Sequence, residues 1–147
     1  MNIKKELPIK IQTILYRVEN GVLLVLIIKR SPQDGGFWQT ITGTLELNES
    51  ITDSRQRELK EEVGIIDAIY DDAEVNRFAW QKKDWIVVEI VFSAETGSKD
   101  VVLNFEEHTE YKWLRIDEAI ALAEKDQTKE CLTKFKNIKL MDKSILL

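Results

Sequence analysis

The amino-acid sequence predicts an α+β fold in which helices pack on a mixed β-sheet. Residues 9–18 alternate apolar and polar side chains, which is typical of a half-buried strand. Residues 22–28 form a continuous apolar run, as in a strand that is covered on both faces. Residues 52–63 carry Leu59 and Val63 four positions apart, as on the buried stripe of a helix. Because these elements do not alternate regularly, they favour a sandwich over a βαβ fold.

The remaining elements follow from turn and capping signals. Glu19-Asn20-Gly21 has the composition of a hairpin turn between the first two strands. Thr52 or Asp53 is predicted to cap the first helix, Gly64 to end it, and Asp117 to cap the second. In chain order, we expect a loop at 31–36, a strand at 37–42, the helix at 52–63, strands at 75–80, 85–94 and 111–116, a helix from 117, and a last helix at 128–140.

Composition excludes several classes of protein. The 147 residues predict one domain, 1–147, and 44% hydrophobic with 32% charged residues is the balance of a globular chain. The net charge of -5 argues against a long nucleic acid as partner. One cysteine allows no disulfide within the chain. The apolar run after Gly21 is too short for a membrane span, and the N-terminal residues lack a signal-peptide core, so we expect a cytoplasmic protein without a membrane partner.

The end of the first helix concentrates negative charge. Glu58, Glu61 and Glu62 fall within about 100° of helical arc, because a helix has 3.6 residues per turn. Like charges at this spacing destabilise a helix slightly, and so do carboxylates near its C-terminus. A divalent cation would reverse both effects, since Mg²⁺ is bound by carboxylates together with phosphate oxygens. By themselves, however, the three acids favour a solvated face over a metal site.

The wider spacing favours the metal site. From Gly43 to Ile65 the sequence reads GTLELNESITDSRQRELKEEVGI, which fits Gx5Ex7REUxEExGU at every fixed position, U being a bulky aliphatic residue. By this pattern the chain resembles the Nudix hydrolases. The resemblance implies an α/β/α sandwich and Mg²⁺-dependent hydrolysis of a pyrophosphate bond, with Mn²⁺ as a possible substitute. In the family, glycine often stands at the position of Asn48, and small apolar residues at those of Ser54 and Arg55.

The resemblance also implies roles for individual residues. Arg57 would hold Glu49 and brace the loop against the helix, as the bidentate geometry of a guanidinium allows. Gly43, where glycine permits a tight turn or a close approach, would offer its carbonyl to the metal. The implied metal ligands are Gly43, Glu58, Glu61, Glu62 and Glu107, and the implied catalytic residues are Glu49, Arg57, Glu58, Glu61 and Glu107.

Two stretches outside this pattern bear on the substrate. FWQTITG before it and FEEHTEYKWL after it resemble, in order and spacing, the bacterial dihydroneopterin triphosphate pyrophosphohydrolases of the family, which also act on nucleoside triphosphates such as dATP. The resemblance makes Glu107 a metal ligand or the general base, although Glu106 is a rival and a solvated loop acid is an alternative. His108 would orient the loop or contact phosphate, and a structural histidine is equally compatible with the sequence.

Three further residues are candidates for substrate binding. Lys29 and Arg30 end the second strand, where they would bind terminal phosphates or serve only as solubilising charges. Trp38 would stack on a pterin or adenine ring or belong to the core, and Phe37 is assigned to the core.

The sequence thus predicts a Mg²⁺-dependent pyrophosphohydrolase that converts a small triphosphate into a monophosphate and pyrophosphate. Dihydroneopterin triphosphate, a folate precursor, is the preferred substrate. A general (d)NTP pyrophosphohydrolase, a dinucleoside polyphosphate hydrolase and a silent nucleotide-binding domain are the alternatives. An acidic chain can bind a triphosphate when metal ions lie between the two sets of anions. The attacked phosphorus, the number of metals and the choice between monomer and homodimer stay open.

Overall fold

The computed structural model describes residues 6–147, and within this range eight strands join in one mixed sheet. The strands are β1 (Glu6–Glu19), β2 (Val22–Arg30), β3 (Trp38–Gln39), β4 (Ile41–Glu46), β5 (Ile69–Tyr70), β6 (Asn76–Lys82), β7 (Trp85–Glu95) and β8 (His108–Leu114). The helices are α1 (Ile51–Val63), α2 (Ile116–Leu122) and α3 (Asp126–Lys139). The described part of the chain contains no helix long and apolar enough to cross a membrane.

The long strand β1 organises the sheet. It pairs in parallel with β7 along most of its length, antiparallel with β4 along its first half, and antiparallel with β2 along its second half. Because successive strand residues point to opposite faces, Ile14 belongs to a core cluster under α2 and α3, and Leu15 to a second cluster under α1. Helices therefore cover both faces, and the predicted α+β sandwich with a mixed sheet is confirmed.

Local sequence explains the limits of α1. Ser50 is the N-cap: its hydroxyl accepts a hydrogen bond from the Asp53 backbone N–H at 3.0 Å, and the Asp53 carboxylate accepts one from the Ser50 N–H at 3.4 Å. The predicted cap at Thr52 or Asp53 was therefore wrong, since Asp53 is the second member of a capping box. Gly64 ends the helix with φ 70, as predicted. Asn48, in the preceding turn, has φ 67, a conformation that asparagine tolerates.

Other boundaries differ from the sequence prediction for identifiable reasons. The predicted strand at 37–42 is divided at Thr40, because β3 pairs with β2 whereas β4 pairs with β1. The two-residue strand β5 is too short to show periodicity. Asp117 does not cap α2, since the helix begins at Ile116 and the Arg115 N–H donates to the Glu118 carboxylate at 3.2 Å.

Arg55 ties α1 to the sheet from a buried position. Its guanidinium donates to the carbonyl oxygens of Asp71 at 3.0 Å and Ser93 at 2.6 Å. The same group lies 4.7 Å from the ring centroids of both Tyr70 and Phe92. Burial lowers the pKa of Arg55, while Tyr70 and Asp71 act in the opposite direction. Paired hydrogen bonds and two aromatic faces thus accommodate an arginine where the family often has a small apolar residue.

Candidate active site

A cavity of about 260 Å³ opens between α1, β4 and the loop that precedes β8. Four carboxylates from two separate parts of the chain line this acidic cavity: Glu58, Glu61, Glu62 and Glu107. Lys10 and Arg30 enter the same cavity from β1 and β2. The acids predicted from the helical spacing therefore share one space with an acid from a distant loop and with two cations.

Glu58 occupies its position because Gly43 has no side chain. A Cβ added to Gly43 would lie 2.1 Å from Glu58 Cδ and 2.2 Å from its Oε1. Gly43 lies within β4 opposite Ile11 and does not have a positive φ. The predicted tight turn is thus wrong, and glycine is required because the Glu58 carboxylate packs directly against the strand backbone.

The environment of Glu58 raises the pKa of its carboxyl group in the absence of a cation. Burial raises its pKa to about 7, Arg57 opposes the rise, and Glu62 and Glu61 add to it. The Arg57 Nη1 donates to Glu58 Oε1 at 2.6 Å. A divalent cation would neutralise the charge of this carboxylate, as a proton does, and it carries two positive charges.

Glu62 is buried between Glu107 and His108. Burial alone would raise its pKa, but the nearby polar groups of His108, Glu107 and Asn104 outweigh this effect, and the pKa lies below the ordinary value. Glu107 has the complementary shift: burial and the neighbouring Glu62 raise its pKa. Of the two carboxyls, Glu107 therefore holds a proton to higher pH.

His108 is buried beside Glu62. Its Nδ1 lies 3.2 Å from Glu62 Oε2, and its Nε2 lies 3.1 Å from Gln39 Nε2. With the Gln39 amide donating, Nε2 accepts and the ring proton is on Nδ1, facing Glu62. His108 does not line the acidic cavity, so the geometry matches the predicted orienting role and not a phosphate contact.

Arg57 braces the site as the resemblance implied. Its Nε and Nη2 donate to the two carboxylate oxygens of Glu49 at 2.7 and 2.9 Å, and Nη2 also donates to the Thr44 carbonyl at 3.1 Å. These hydrogen bonds, first of all those with Glu49, raise the pKa of Arg57 further above its usual range. The guanidinium thus connects the loop before α1, strand β4 and Glu58.

The residues present fit a divalent cation. One oxygen from each of Glu58, Glu61 and Glu62 can be chosen within 4.8 Å of the others, and the same holds for ligand atoms of Glu62, Glu107 and His108. Glu62 Oε2 is buried without a hydrogen-bond partner among the described residues, although His108 Nδ1 lies 3.2 Å away. Carboxylate oxygens of this kind suit a hard cation such as Mg²⁺.

The structure separates Lys29 from Arg30. Adjacent strand residues point to opposite faces, so only Arg30 enters the cavity, with a buried Nε that lacks a hydrogen bond. Lys29 pairs instead with Glu110 at 3.5 Å and does not line the acidic cavity. Its predicted phosphate contact is therefore not supported, and the alternative of a strand-end charge fits.

Trp38 and Phe37 exchange their expected places. Trp38 is 8% exposed and belongs to the core cluster under α2 and α3, so it fits the core alternative and not the stacking role. Phe37, which the sequence assigns to the core, lines a second cavity of about 230 Å³ that adjoins the acidic one. Lys10, Arg30 and Thr42 line both cavities.

The second cavity contains residues that sequence reasoning missed, namely Lys10, Gln12, Phe78, Trp80 and Glu89. Two signals were available in the sequence. Glu89 interrupts the apolar run of β7, and Lys10 and Gln12 are polar residues on one face of a strand that continues into the core.

The braced glutamate cluster on an acidic helix defines a site suited to a divalent cation and to phosphate groups. The chain belongs to the Nudix hydrolase family, since residues 9–135 match the model of the NUDIX domain. The predicted family and its fold are therefore confirmed.

Two curated proteins are similar in sequence. An octanoyltransferase of Myxococcus xanthus is 33% identical over 98 residues, which cover 65% of this chain but only 28% of that protein. An RNA pyrophosphohydrolase of Wolbachia pipientis subsp. Culex pipiens (strain wPip) is 26% identical over 157 residues, covering 84% of this chain and 91% of that protein.

Two solved structures show the same fold. A binary complex of the Caenorhabditis elegans Ap4A hydrolase superposes with a TM-score of 0.78 at 22% identity, covering 90% of this chain and 98% of that chain. The E. coli dihydroneopterin triphosphate pyrophosphohydrolase superposes with a TM-score of 0.71 at 24% identity, covering 90% and 97%.

Proposed function

We propose that the chain, acting as one domain, is a Mg²⁺-dependent pyrophosphohydrolase that converts a small triphosphate into a monophosphate and pyrophosphate. The observation that carries the proposal is the convergence of Glu58, Glu61, Glu62 and Glu107 on one cavity that Arg30 and Lys10 also enter. Acids and cations in one cavity suit a metal–triphosphate complex, because the metal neutralises the acids and the cations meet the phosphates.

We assign a separate role to each side chain from its position in the site. Glu58, Glu61 and Glu62 would hold Mg²⁺, with Mn²⁺ as a substitute, and Gly43 would add its carbonyl. The bound ion would polarise the phosphate oxygens and activate a water molecule. Arg30 would bind the phosphates electrostatically.

Glu107 is the proposed general base or an additional metal ligand. It lines the acidic cavity and lies beside Glu62, which raises its pKa. A base with a raised pKa accepts a proton from water more readily, provided that it is ionised at the working pH. Glu106 does not line this cavity, and its N–H donates to Asn104 Oδ1. We therefore assign the role to Glu107 and not to its neighbour.

Dihydroneopterin triphosphate is the proposed substrate, which would place the protein in folate synthesis in the cytoplasm. The proposal rests on the stretches around Trp38 and from Phe105 to Leu114, since structural similarity at this level of identity concerns the fold alone. A nucleoside triphosphate such as dATP is the second candidate, because the adjoining cavity has aromatic walls that suit any flat heterocycle. Monomer and homodimer are both compatible with these assignments.

Product analysis with purified protein tests the reaction. With Mg²⁺ and dihydroneopterin triphosphate, we expect pyrophosphate and the monophosphate as products, and none after removal of the metal with EDTA. Glu107→Gln should lower kcat by about 100-fold, as loss of a general base does. Glu106→Gln is the matched control on the same loop and should retain the wild-type kcat. Equal activity of both variants would remove Glu107 from the mechanism, and absence of turnover with every triphosphate would refute the proposed function.

A further inference from the structure

The second cavity contains a buried polar group that the phosphate chemistry does not use. Gln12 and Glu89 are 3% and 8% exposed, and both line this cavity of about 230 Å³. They come from strands 77 residues apart in sequence that the parallel pairing of β1 with β7 brings together. Polar side chains buried at this level need hydrogen-bond partners, so their remaining capacity is informative.

The hydrogen bonds of this pair leave several acceptors and one N–H of Gln12 unfilled. Gln12 Nε2 donates to Glu89 Oε2 at 2.9 Å, and Trp80 Nε1 donates to Glu89 Oε1 at 3.4 Å. Since the carboxylate can only accept, the amide nitrogen of Gln12 must face it, and Gln12 Oε1 is left buried without a partner among the described residues. Each oxygen of an ionised carboxylate also accepts a second hydrogen bond. At this place the cavity therefore offers an array of acceptors, while its cations, Lys10, Arg30 and Lys125, are other parts of the lining.

An array of acceptors selects a ligand with adjacent N–H donors. We propose that Glu89 and Gln12 recognise the 2-amino-4-oxo edge of a heterocycle, which is common to guanine and pterin. That edge presents a ring N–H and an amino group side by side, and a carboxylate accepts both. Adenine presents a ring nitrogen acceptor beside its amino group, which a carboxylate repels. The inference rests on the proposed function, because it assumes that the heterocycle belongs to the triphosphate substrate.

The position of the cavity agrees with this assignment. Lys10, Arg30 and Thr42 line both cavities, so a ligand whose ring contacts Glu89 can extend its phosphates past two cations toward Glu58. Phe37 and Trp80 supply aromatic walls on which a flat ring can stack. Lys10 lies over the Trp80 ring at 5.5 Å, at the junction of the two cavities.

Matched nucleotides isolate the recognition of the amino group. GTP and ITP differ only in the 2-amino group, and ATP reverses the ring donor into an acceptor. With Mg²⁺ we expect kcat/KM to fall about 10- to 100-fold from GTP to ITP and at least as far from GTP to ATP, the range of one good bidentate contact. In Glu89→Gln the difference between GTP and ITP should shrink to about twofold or less, because an amide presents one acceptor and one donor.

Glu95→Gln is the control for the charge change. Glu95 ends the same strand, β7, and lines neither cavity, so this variant should keep the wild-type ratio of GTP to ITP. If wild-type protein hydrolyses GTP, ITP and ATP equally, or if Glu89→Gln keeps the wild-type ratio, the inference is wrong while the pyrophosphohydrolase assignment stands. Thermal unfolding of each variant separates a changed preference from a lost fold.

A binding measurement tests the inference without turnover. Titration of the wild-type protein with GMP and IMP should give at least a tenfold tighter Kd for GMP, and Glu89→Gln should remove the difference. Equal Kd values for the two monophosphates would overturn the inference even if the enzyme proved inactive. A preference for GMP without any hydrolysis would refute the proposed function and retain the ring specificity.

Discussion

The substitution Gly43→Ala would test whether close approach of a strand to Glu58 sets the geometry of the active site. The added methyl carbon would lie 2.1 Å from Glu58 Cδ, whereas non-bonded carbon atoms are ordinarily about 3.5–4.0 Å apart. The overlapping atoms belong to the carboxylate itself, so the carboxylate or the strand must withdraw by about 1.4 Å to restore that separation. The substitution thus displaces one proposed metal ligand without changing any charge.

The expected effect follows from the size of the displacement. A misplacement of about 1 Å in a catalytic group costs about 100-fold in rate, or about 2.7 kcal/mol in the activation barrier. We therefore expect Gly43→Ala to lower kcat by about 100-fold and to weaken Mg²⁺ binding. Steady-state kinetics over a range of Mg²⁺ concentrations, together with a thermal unfolding curve, measures both effects.

Gly97→Ala is the matched control. A Cβ at Gly97 would meet only Asp67 Oδ2 at 3.8 Å, an ordinary contact, and Gly97 does not have a positive φ. This variant should keep the wild-type kcat and Mg²⁺ dependence. The steric argument is refuted if Gly43→Ala is folded and retains the kcat and Mg²⁺ affinity of Gly97→Ala.

Three other substitutions give distinct outcomes. Arg57→Lys should lower kcat by about tenfold or more, because a lysine cannot hold both oxygens of Glu49; kinetics against Arg17→Lys checks this. His108→Ala should weaken Mg²⁺ binding by about 10- to 100-fold with little change in KM for the triphosphate, as loss of a residue that orients a ligand does; calorimetric titration with Mg²⁺ measures it. The pKa of Glu58 is about 7 in the folded protein and 4.5 in the unfolded chain, so protonated Glu58 stabilises the metal-free fold. This stabilisation is complete below pH 4.5 and is lost as the pH rises through 7. Denaturant unfolding should therefore show about 2 kcal/mol less stability at pH 7 than at pH 5 from this group, a difference that Glu58→Gln removes.

The sequence predicted the acidic half of the site because its geometry is local. Glu58 and Glu62 are one helical turn apart, so the spacing alone indicates their common side. The proposed ring-binding half depends on strand register, which a single sequence does not reveal. A shift of one residue moves a side chain to the opposite face, and this explains why Phe37 and not Trp38 lines the cavity. Likewise, nothing in the sequence near Gln12 indicates that Glu89 is its partner.

The buried carboxylates also connect function with stability. The environment that raises the pKa of Glu58 makes its ionised form unfavourable in metal-free protein, yet metal binding requires that form. Binding of a cation would then release a proton near neutral pH and stabilise the fold, by about 2.7 kcal/mol at a concentration 100 times its Kd. The gain should be smaller at pH 6, where the proton competes with the metal, than at pH 8. On this argument, the net negative charge of the chain would not oppose binding of the proposed triphosphate, since a cation held by the acids would lie between the two sets of anions.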